Sequence, residues 1–183
     1  IGKGEFALAP DGQTRGMTSD AYRALWLGTP IFQPPAYAGR FNEILLVDAT
    51  IALDALYECS WIVKYVEPTS CNDLVAPPPG NPMRYVAFAQ LGQRNLGQPV
   101  EKVTFASDEV GLITREGLHL PVQHKPHLRK CVVDLPGSRC GETSAPYVFW
   151  FGRGRPGFYA LGVRDGRPDV GSASRGREVV SVP

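Results

Sequence analysis

All three histidines of the chain fall within nine residues, HLPVQHKPH, at positions 119, 124 and 127. Neutral imidazole binds zinc and titrates near physiological pH, so His119, His124 and His127 could form a metal cluster or provide a general base. Pro121 and Pro126 interrupt the segment, so neither helical i, i+4 geometry nor a regular strand face is assured. No carboxylate or cysteine stands at ligand spacing. A solvated loop or an interface is therefore the simpler interpretation.

Arginines and aromatic residues alternate near the end of the chain, between residues 147 and 177. Such a surface could bind RNA or acidic glycans through charge and stacking. The alternative is that the aromatic residues fill a sandwich core while the arginines are solvated in loops. The residues that could contact nucleic acid or glycan are Arg153, Arg155, Arg164, Arg167 and Trp150, and the wider cluster adds Arg175, Arg177, Tyr147, Phe158 and Tyr159.

Nucleophilic catalysis has no support beyond the presence of suitable residue types. The sequence lacks a GxSxG elbow, and no cysteine stands in a recognisable activated setting. We therefore expect no enzyme and no cofactor. A hydrolytic enzyme on a β-barrel scaffold, using one of the three histidines with Asp108 or Glu116, stays open as an alternative.

Four cysteines allow three disulfide pairings but require none, since a chain of this length can fold without them. The absence of CxxC spacing speaks against structural zinc. Free, mostly buried thiols are the simplest expectation, and Cys131–Cys140 is the expected bridge if one forms, because Pro136-Gly137 would turn the chain between them. The other two cysteines are Cys59 and Cys71.

Cys59 and Cys71 bracket the segment CSWIVKYVEPTSC, which has the alternation of a strand. Trp61, Val63 and Tyr65 would share one face of that strand. Twelve extended residues span roughly 40 Å, whereas bridged Cα atoms lie about 4.4 to 6.8 Å apart. A direct Cys59–Cys71 disulfide would therefore require the strand prediction to be wrong.

The 183 residues suit a single domain, residues 1–183. With 20 Gly and 17 Pro, about one residue in five favours turns. A net charge of +1 creates no general attraction to nucleic acid or anionic membranes. No apolar run reaches the roughly 18 to 20 residues of a membrane span, so we expect no membrane insertion.

Local patterns predict seven to nine strands and one or two short helices. The helices are expected at residues 18–28, where Ser19 or Asp20 would cap the start and Gly28 the end, and at residues 51–58. The fold class is therefore all-β, an antiparallel β-sandwich. The strands are expected within residues 41–50, 59–68, 83–91, 100–106, 111–122, 128–137, 145–152, 157–165 and 177–183.

The order of elements between residues 41 and 91 resembles the shell domain of coat proteins from small icosahedral RNA viruses of the tombusvirus and sobemovirus type. The resemblance lies in FNEILLVDAT, the helical IALDALYE, the proline-closed WIVKYVEPTSC and MRYVAFAQL. It implies a jelly roll that assembles with copies of itself into an icosahedral shell in the virion. GQRNLGQ supplies none of the family's calcium-binding aspartates, and RNA would bind through a basic segment absent from this chain.

Two functional hypotheses therefore remain in addition to that of a hydrolytic enzyme. The first is a self-assembling viral shell protein, in which proline-rich segments at residues 28–39 and 74–82 tie neighbouring copies together. The second is a viral projection or a secreted β-sandwich that recognises glycans or a receptor through surface Trp and Tyr. A shell protein should form large assemblies, whereas a binding module should expose an aromatic-lined surface.

Overall fold

The computed structural model describes residues 19–151 and 154–183, apart from the side chains of residues 19–22 and 59. The chain is mostly β, with 34% strand and 23% helix, several antiparallel sheets and short helices. The prediction of a mostly β chain with antiparallel sheets and short helices is thus confirmed. A jelly-roll order is not confirmed, and two strand pairs run parallel.

The first sheet has four antiparallel strands in the order β1-β4-β11-β5. Of its two central strands, β4 is buried at all but its first residue, as a strand covered on both faces is. The prediction of strands within residues 41–50, 83–91 and 177–183 is confirmed. The strands are β1 (Glu43–Asp48), β4 (Arg84–Gln90), β5 (Glu109–Gly111) and β11 (Ser174–Ser181).

The second sheet has five strands in the order β10-β6-β8-β9-β2. Its centre is an antiparallel hairpin of β8 and β9, and the outer pairs β10–β6 and β2–β9 are parallel. The strands predicted within residues 128–137, 145–152 and 157–165 are confirmed. The strands are β2 (Val63–Lys64), β6 (Val132–Asp134), β8 (Ser144–Trp150), β9 (Pro156–Gly162) and β10 (Val170–Ser172).

A small antiparallel pair, β3 (Cys71–Asp73) and β7 (Ser138–Cys140), carries a disulfide. Cys71 and Cys140 are register partners with Cα atoms 4.2 Å apart, and they are bonded to each other. The expected Cys131–Cys140 bridge is therefore wrong. The turn at Pro136-Gly137 does reverse the chain, but it places β7 beside β3, 69 residues away in sequence, and leaves Cys131 free.

Four α-helices occur in the described residues, two more than the upper limit expected from the sequence. Both predicted helices, α1 and α2, are present, and Gly28 N donates to Ala24 O where α1 ends. The helices are α1 (Ser19–Leu27), α2 (Leu53–Cys59), α3 (Thr114–Gln123) and α4 (Lys125–Leu128).

Helix α3 replaces the turn and strand predicted for residues 111–122. Its first turn is closed by Glu116, whose Oε2 accepts the amide of Ile113 at 3.0 Å. Pro121 lies inside the helix, where it lacks one amide donor. Packing against β1 and β8 compensates for this loss, because α3 buries both apolar and polar side chains between the sheets.

The strand predicted at residues 59–68 shrinks to Val63–Lys64. Helix α2 continues to Cys59, and Trp61 then adopts a left-handed backbone conformation with φ of 55°. This conformation ends the helix and reverses the chain into β2. The strand predicted at residues 100–106 is also wrong, because residues Val100–Lys102 form a short 3-10 helix.

A buried charged network joins α3 to the first sheet. Glu116 and Arg175 are 0% and 1% exposed and form an ion pair through Arg175 Nε. Tyr85 donates its hydroxyl to the same carboxylate at 2.8 Å. Burial and the nearby carboxylate raise the pKa of Tyr85, so the phenol stays protonated as the donor. One side chain of α3 thus holds both β4 and β11.

We expect Glu116→Gln to lower the free energy of unfolding by about 3 to 5 kcal/mol, because it leaves the Arg175 guanidinium buried without its counter-charge. Urea denaturation measures this loss. Glu101→Gln, which removes an exposed ion pair with Arg164, is the control and should change stability by less than about 0.5 kcal/mol. A loss below about 1 kcal/mol for Glu116→Gln would contradict the central role of the pair.

Candidate ligand-binding face

One row of side chains crosses the second sheet on a single face. Ser172 is the register partner of Asp134, Asp134 of Tyr147, and Tyr147 of Tyr159. Tyr65 follows β2 directly and extends the row, since its amide donates to Phe158 O. Directly opposed residues of neighbouring strands project to the same face of a sheet.

Exposure rises steadily along this row. Ser172 and Asp134 are 0% and 1% exposed, and Tyr147 is 8% exposed. Tyr159 and Tyr65 are 42% and 53% exposed. The row therefore begins as buried polar groups and ends as an open surface of phenol rings.

Five rings on this face touch one another in a closed circuit, and we call them the aromatic face. Each ring has its centroid within 6 Å of two others, at distances from 4.5 to 5.8 Å. Most of the contacts are edge-to-face, the arrangement that ring quadrupoles favour. The members are Tyr65, Tyr147, Phe149, Phe151 and Tyr159.

The opposite face of the same strands explains why these rings lie outward. Val133, Val148 and Phe158 are register partners and are completely buried in the core. Helices α3 and α4 pack on that side, against β8. Because alternate residues of a strand point to opposite faces, the rings of the aromatic face are directed away from this core.

Glycine lets two of the rings lie close to the strand. A Cβ built on Gly157 would come within 2.5 Å of Phe149 and 2.8 Å of Phe151. These two rings therefore occupy the space above Gly157 and meet each other at 4.5 Å. The result is a continuous aromatic surface instead of separate side chains.

The aromatic face also carries polar groups that are available to a ligand. The hydroxyls of Tyr65, Tyr147 and Tyr159 make no hydrogen bond with any other described group. Each phenol can donate one hydrogen bond and accept others. Ring surface and free hydroxyls together suit a ligand with both C–H faces and hydroxyl groups.

Asp134 is a buried carboxyl group at the inner end of the row. Among the described residues, neither of its oxygens has a hydrogen-bond partner, and the neighbouring Ser172 hydroxyl also lacks one. Burial raises the pKa of Asp134 to about 7, although the charges of Arg167 and Arg139 oppose the shift. The carboxyl group therefore titrates near neutral pH without a direct partner.

Arg167 lies close enough to the aromatic face for its charge to oppose the rise that burial causes in the pKa of Tyr147. Arg155 contacts the face through its backbone. Its carbonyl accepts the amide of Phe151, and its guanidinium lies 6.0 Å from the ring centroid of exposed Trp61. Arg164 pairs with Glu101 and Arg167 with Asp169, both on the surface. Arg153 lies outside the described residues. Two of these four arginines are thus paired with surface carboxylates.

Two residues of the expected cluster lie elsewhere. Trp150 packs against the core side of the second sheet, beneath the cations of Lys125 and Arg129, which lie 4.7 and 5.5 Å from its ring centroid. Arg175 is buried in its pair with Glu116, so its expected position in a solvated loop is wrong. Arg175 is buried because Glu116 provides a buried counter-charge, which no local pattern in the sequence indicates.

The three histidines bind backbone groups instead of forming a metal cluster. His119 Nε2 accepts the amide of Asp48 at 3.2 Å, and His124 Nε2 lies 2.9 Å from Ile44 O. Between them, Gln123 both accepts from and donates to Leu46, at 2.8 and 2.7 Å. These side chains satisfy the free edge of β1, as a neighbouring strand would.

The protonation state of His119 follows from this role. Burial lowers the pKa of His119 to about 4, so the ring is neutral at physiological pH. Its Nδ1 lies 2.8 Å from Arg115 O, which places the proton on Nδ1 and the lone pair on Nε2. No group of three potential metal ligands occurs in the described part of the chain.

His127 and Cys131 form a close thiol–imidazole pair, with Sγ 2.9 Å from Nε2. The same Nε2 lies 2.8 Å from Leu91 O, and Gln93 Nε2 contacts Nδ1 at 3.3 Å. A proton on Nε2 directed at Leu91 O satisfies both contacts and leaves no lone pair for the thiol. Burial raises the pKa of Cys131 and lowers that of His127, so both stay neutral.

Sequence reasoning identified Tyr147 and Tyr159 but missed Tyr65, Phe149 and Phe151 as surface residues. The alternation of aromatic residues in APYVFWFG indicates that residues 147, 149 and 151 share a face. It does not indicate which face is exposed. That information requires the packing of α3 and α4, which the sequence prediction did not contain.

Comparisons with known proteins give no relative. No protein-family model, curated protein or solved structure matches the chain. Within the described ranges, no helix combines the length and apolar character needed to span a bilayer.

We expect Asp134→Asn to stabilise the protein more at pH 8 than at pH 4, by roughly 2 to 4 kcal/mol in the free energy of unfolding. The ordinary pKa of 3.8 applies to the unfolded chain and about 7 to the folded chain. The folded state therefore binds the proton more tightly, and stability falls as the pH rises from about 4 to 7.

Urea denaturation at the two pH values measures this difference. Asp169→Asn, which removes an exposed carboxylate paired with Arg167, is the control for the loss of a surface charge. An equal effect of Asp134→Asn at both pH values would show that the carboxyl group does not titrate in this range.

Proposed function

We propose that the chain is a binding module that recognises carbohydrate through the aromatic face. The observation that carries the proposal is the closed circuit of five rings, which opens to solvent at Tyr65 and Tyr159. Large apolar side chains exposed together on a folded domain are typical of an interaction surface.

The chemistry of the surface favours a sugar over a purely apolar partner. The negative π-face of an aromatic ring attracts the weakly positive C–H groups of a pyranose ring. The three free phenol hydroxyls can bind sugar hydroxyls at the same time. Arg155 and Trp61 border the face and add a cation and another ring for an extended chain.

The Cys71–Cys140 disulfide supports a location outside the cytosol, because disulfides persist in oxidising compartments. An extracellular site is where glycan recognition would be needed. The proposal therefore combines a glycan-binding surface with an extracellular location.

We expect Tyr65→Ala and Tyr159→Ala each to weaken glycan binding about tenfold or more, since a lost stacking contact of about 1.4 kcal/mol corresponds to that factor. A glycan array identifies the sugar, and calorimetric titration then measures the variants. Phe32→Ala, at another exposed aromatic residue that belongs to no ring contact of the face, is the matched control. Absence of any array signal, or equal affinity for all three variants, would reject the proposal.

A viral shell protein is the second proposal. The succession of β1, α2 and β4 supports this proposal, while the strand expected between α2 and β4 shrinks to Val63–Lys64. In this proposal the domain is a jelly roll in the virion, its partners are copies of itself, and RNA binds through a basic segment outside this chain. The exposed proline-rich segments would then connect neighbouring copies.

Light scattering and negative-stain microscopy over a range of ionic strength and pH test the shell proposal. Uniform particles or capsid-like oligomers are expected if it is correct. A monomer or dimer under every condition would count against self-assembly and leave carbohydrate binding as the working function.

A further inference from the structure

A cleft of about 430 Å³ lies away from the aromatic face, between the loop at residues 74–82 and the start of α3. Its volume lies within the range of small-molecule sites. The floor is formed by Tyr85 and Ile113, which are 2% and 8% exposed. Val75 and Pro78 contribute to an apolar wall.

The wall of the cleft is held in place before any ligand binds. The disulfide at Cys71 and the pairing of β3 with β7 anchor one end of the loop, and Leu74 N donates to Gly137 O at 2.7 Å. The other end runs into β4. Successive prolines restrict the backbone between these anchors, so little conformational entropy would be lost on binding.

Arg115 is the cation of the cleft, and its charge is not compensated. Its Nη1 donates to Ile51 O at 2.5 Å, which orients the guanidinium. No carboxylate lies within 4.0 Å of it in the described part of the chain. By contrast, four arginines in or beside the first sheet have acidic partners: Arg40, Arg84, Arg94 and Arg175.

We propose that this cleft binds a small carboxylic acid with an apolar body. The carboxylate would accept hydrogen bonds from the free N–H groups of Arg115, whose planar guanidinium suits this geometry. The apolar body would lie against Ile113 and the prolines. Nothing in the proposed recognition of carbohydrate uses these residues.

Asp73 fixes the orientation of the ligand. It lines the same cleft, and its Oδ1 accepts the hydroxyl of Ser138. A carboxylate near Asp73 would be repelled, so the acid group must lie at the Arg115 end. Removing the charge of Asp73 should therefore strengthen binding, while removing that of Arg115 should weaken it.

The test is an NMR titration of ¹⁵N-labelled protein with phenylacetate, and with phenylacetamide as its neutral isostere. We expect saturable shifts of the amides of Val75, Ile113 and Arg115 with phenylacetate. Phenylacetamide should bind at least tenfold more weakly, because it lacks the charge that Arg115 recognises. Arg115→Gln should weaken phenylacetate binding at least tenfold, and Arg115→Lys should retain part of the affinity.

Arg177→Gln is the control, because Arg177 does not line the cleft and, like Arg115, donates to a backbone carbonyl. Asp73→Asn should increase the affinity for phenylacetate by a factor of about two or more. The proposal is overturned by equal binding of acid and amide, by unchanged affinity in Arg115→Gln, or by shifts outside the cleft. The spectrum of each variant also shows whether it is folded.

Discussion

The fold depends on one buried ion pair, Glu116 with Arg175. A buried charge is costly unless it has a counter-charge and further hydrogen bonds, and both conditions are met here. Glu116 receives Arg175 from β11, the Tyr85 hydroxyl from β4 and the Ile113 amide from its own helix start. The pair therefore fixes α3 relative to two adjacent strands, which apolar packing alone would locate less specifically.

The remaining contacts of α3 extend this constraint to a third strand. His119, Gln123 and His124 bind the free edge of β1 through backbone hydrogen bonds. Residues 119 and 123 are four apart and lie on one side of a helix, so a single helical face can serve successive groups of the strand. Two of the three histidines that suggested a metal site are thus used to close a sheet edge.

The placement of α3 also determines which face of the second sheet is open. With α3 and α4 on the side of Val133, Val148 and Phe158, none of the described helices covers the aromatic face. The rings of the aromatic face instead cover one another from solvent. Tyr147, at the end near Asp134, is buried, whereas Tyr159 and Tyr65 are exposed. Because these rings are only partly covered, a ligand can stack on their exposed faces.

Local signals account for what could be predicted from the sequence. Strand β4 is a nearly continuous apolar run, and α2 contains good helix formers, so both were predicted correctly. Helix α3 was missed because Glu116 and His119 are polar at buried positions and Pro121 disfavours a helix. Their partners, Arg175 and Asp48, are remote in sequence, so no local pattern could reveal that these polar residues are satisfied.

The disulfide and the candidate site also depend on contacts between residues that are remote in sequence. Cys71 and Cys140 become neighbours only when β3 pairs with β7, and Tyr65 meets Tyr159 only through a parallel strand pair. Cross-linking residues so distant should stabilise the fold by about 4 kcal/mol through the unfolded chain. It also fixes the start of the loop that walls the Arg115 cleft, so the constraint that stabilises the chain also preorganises a binding surface.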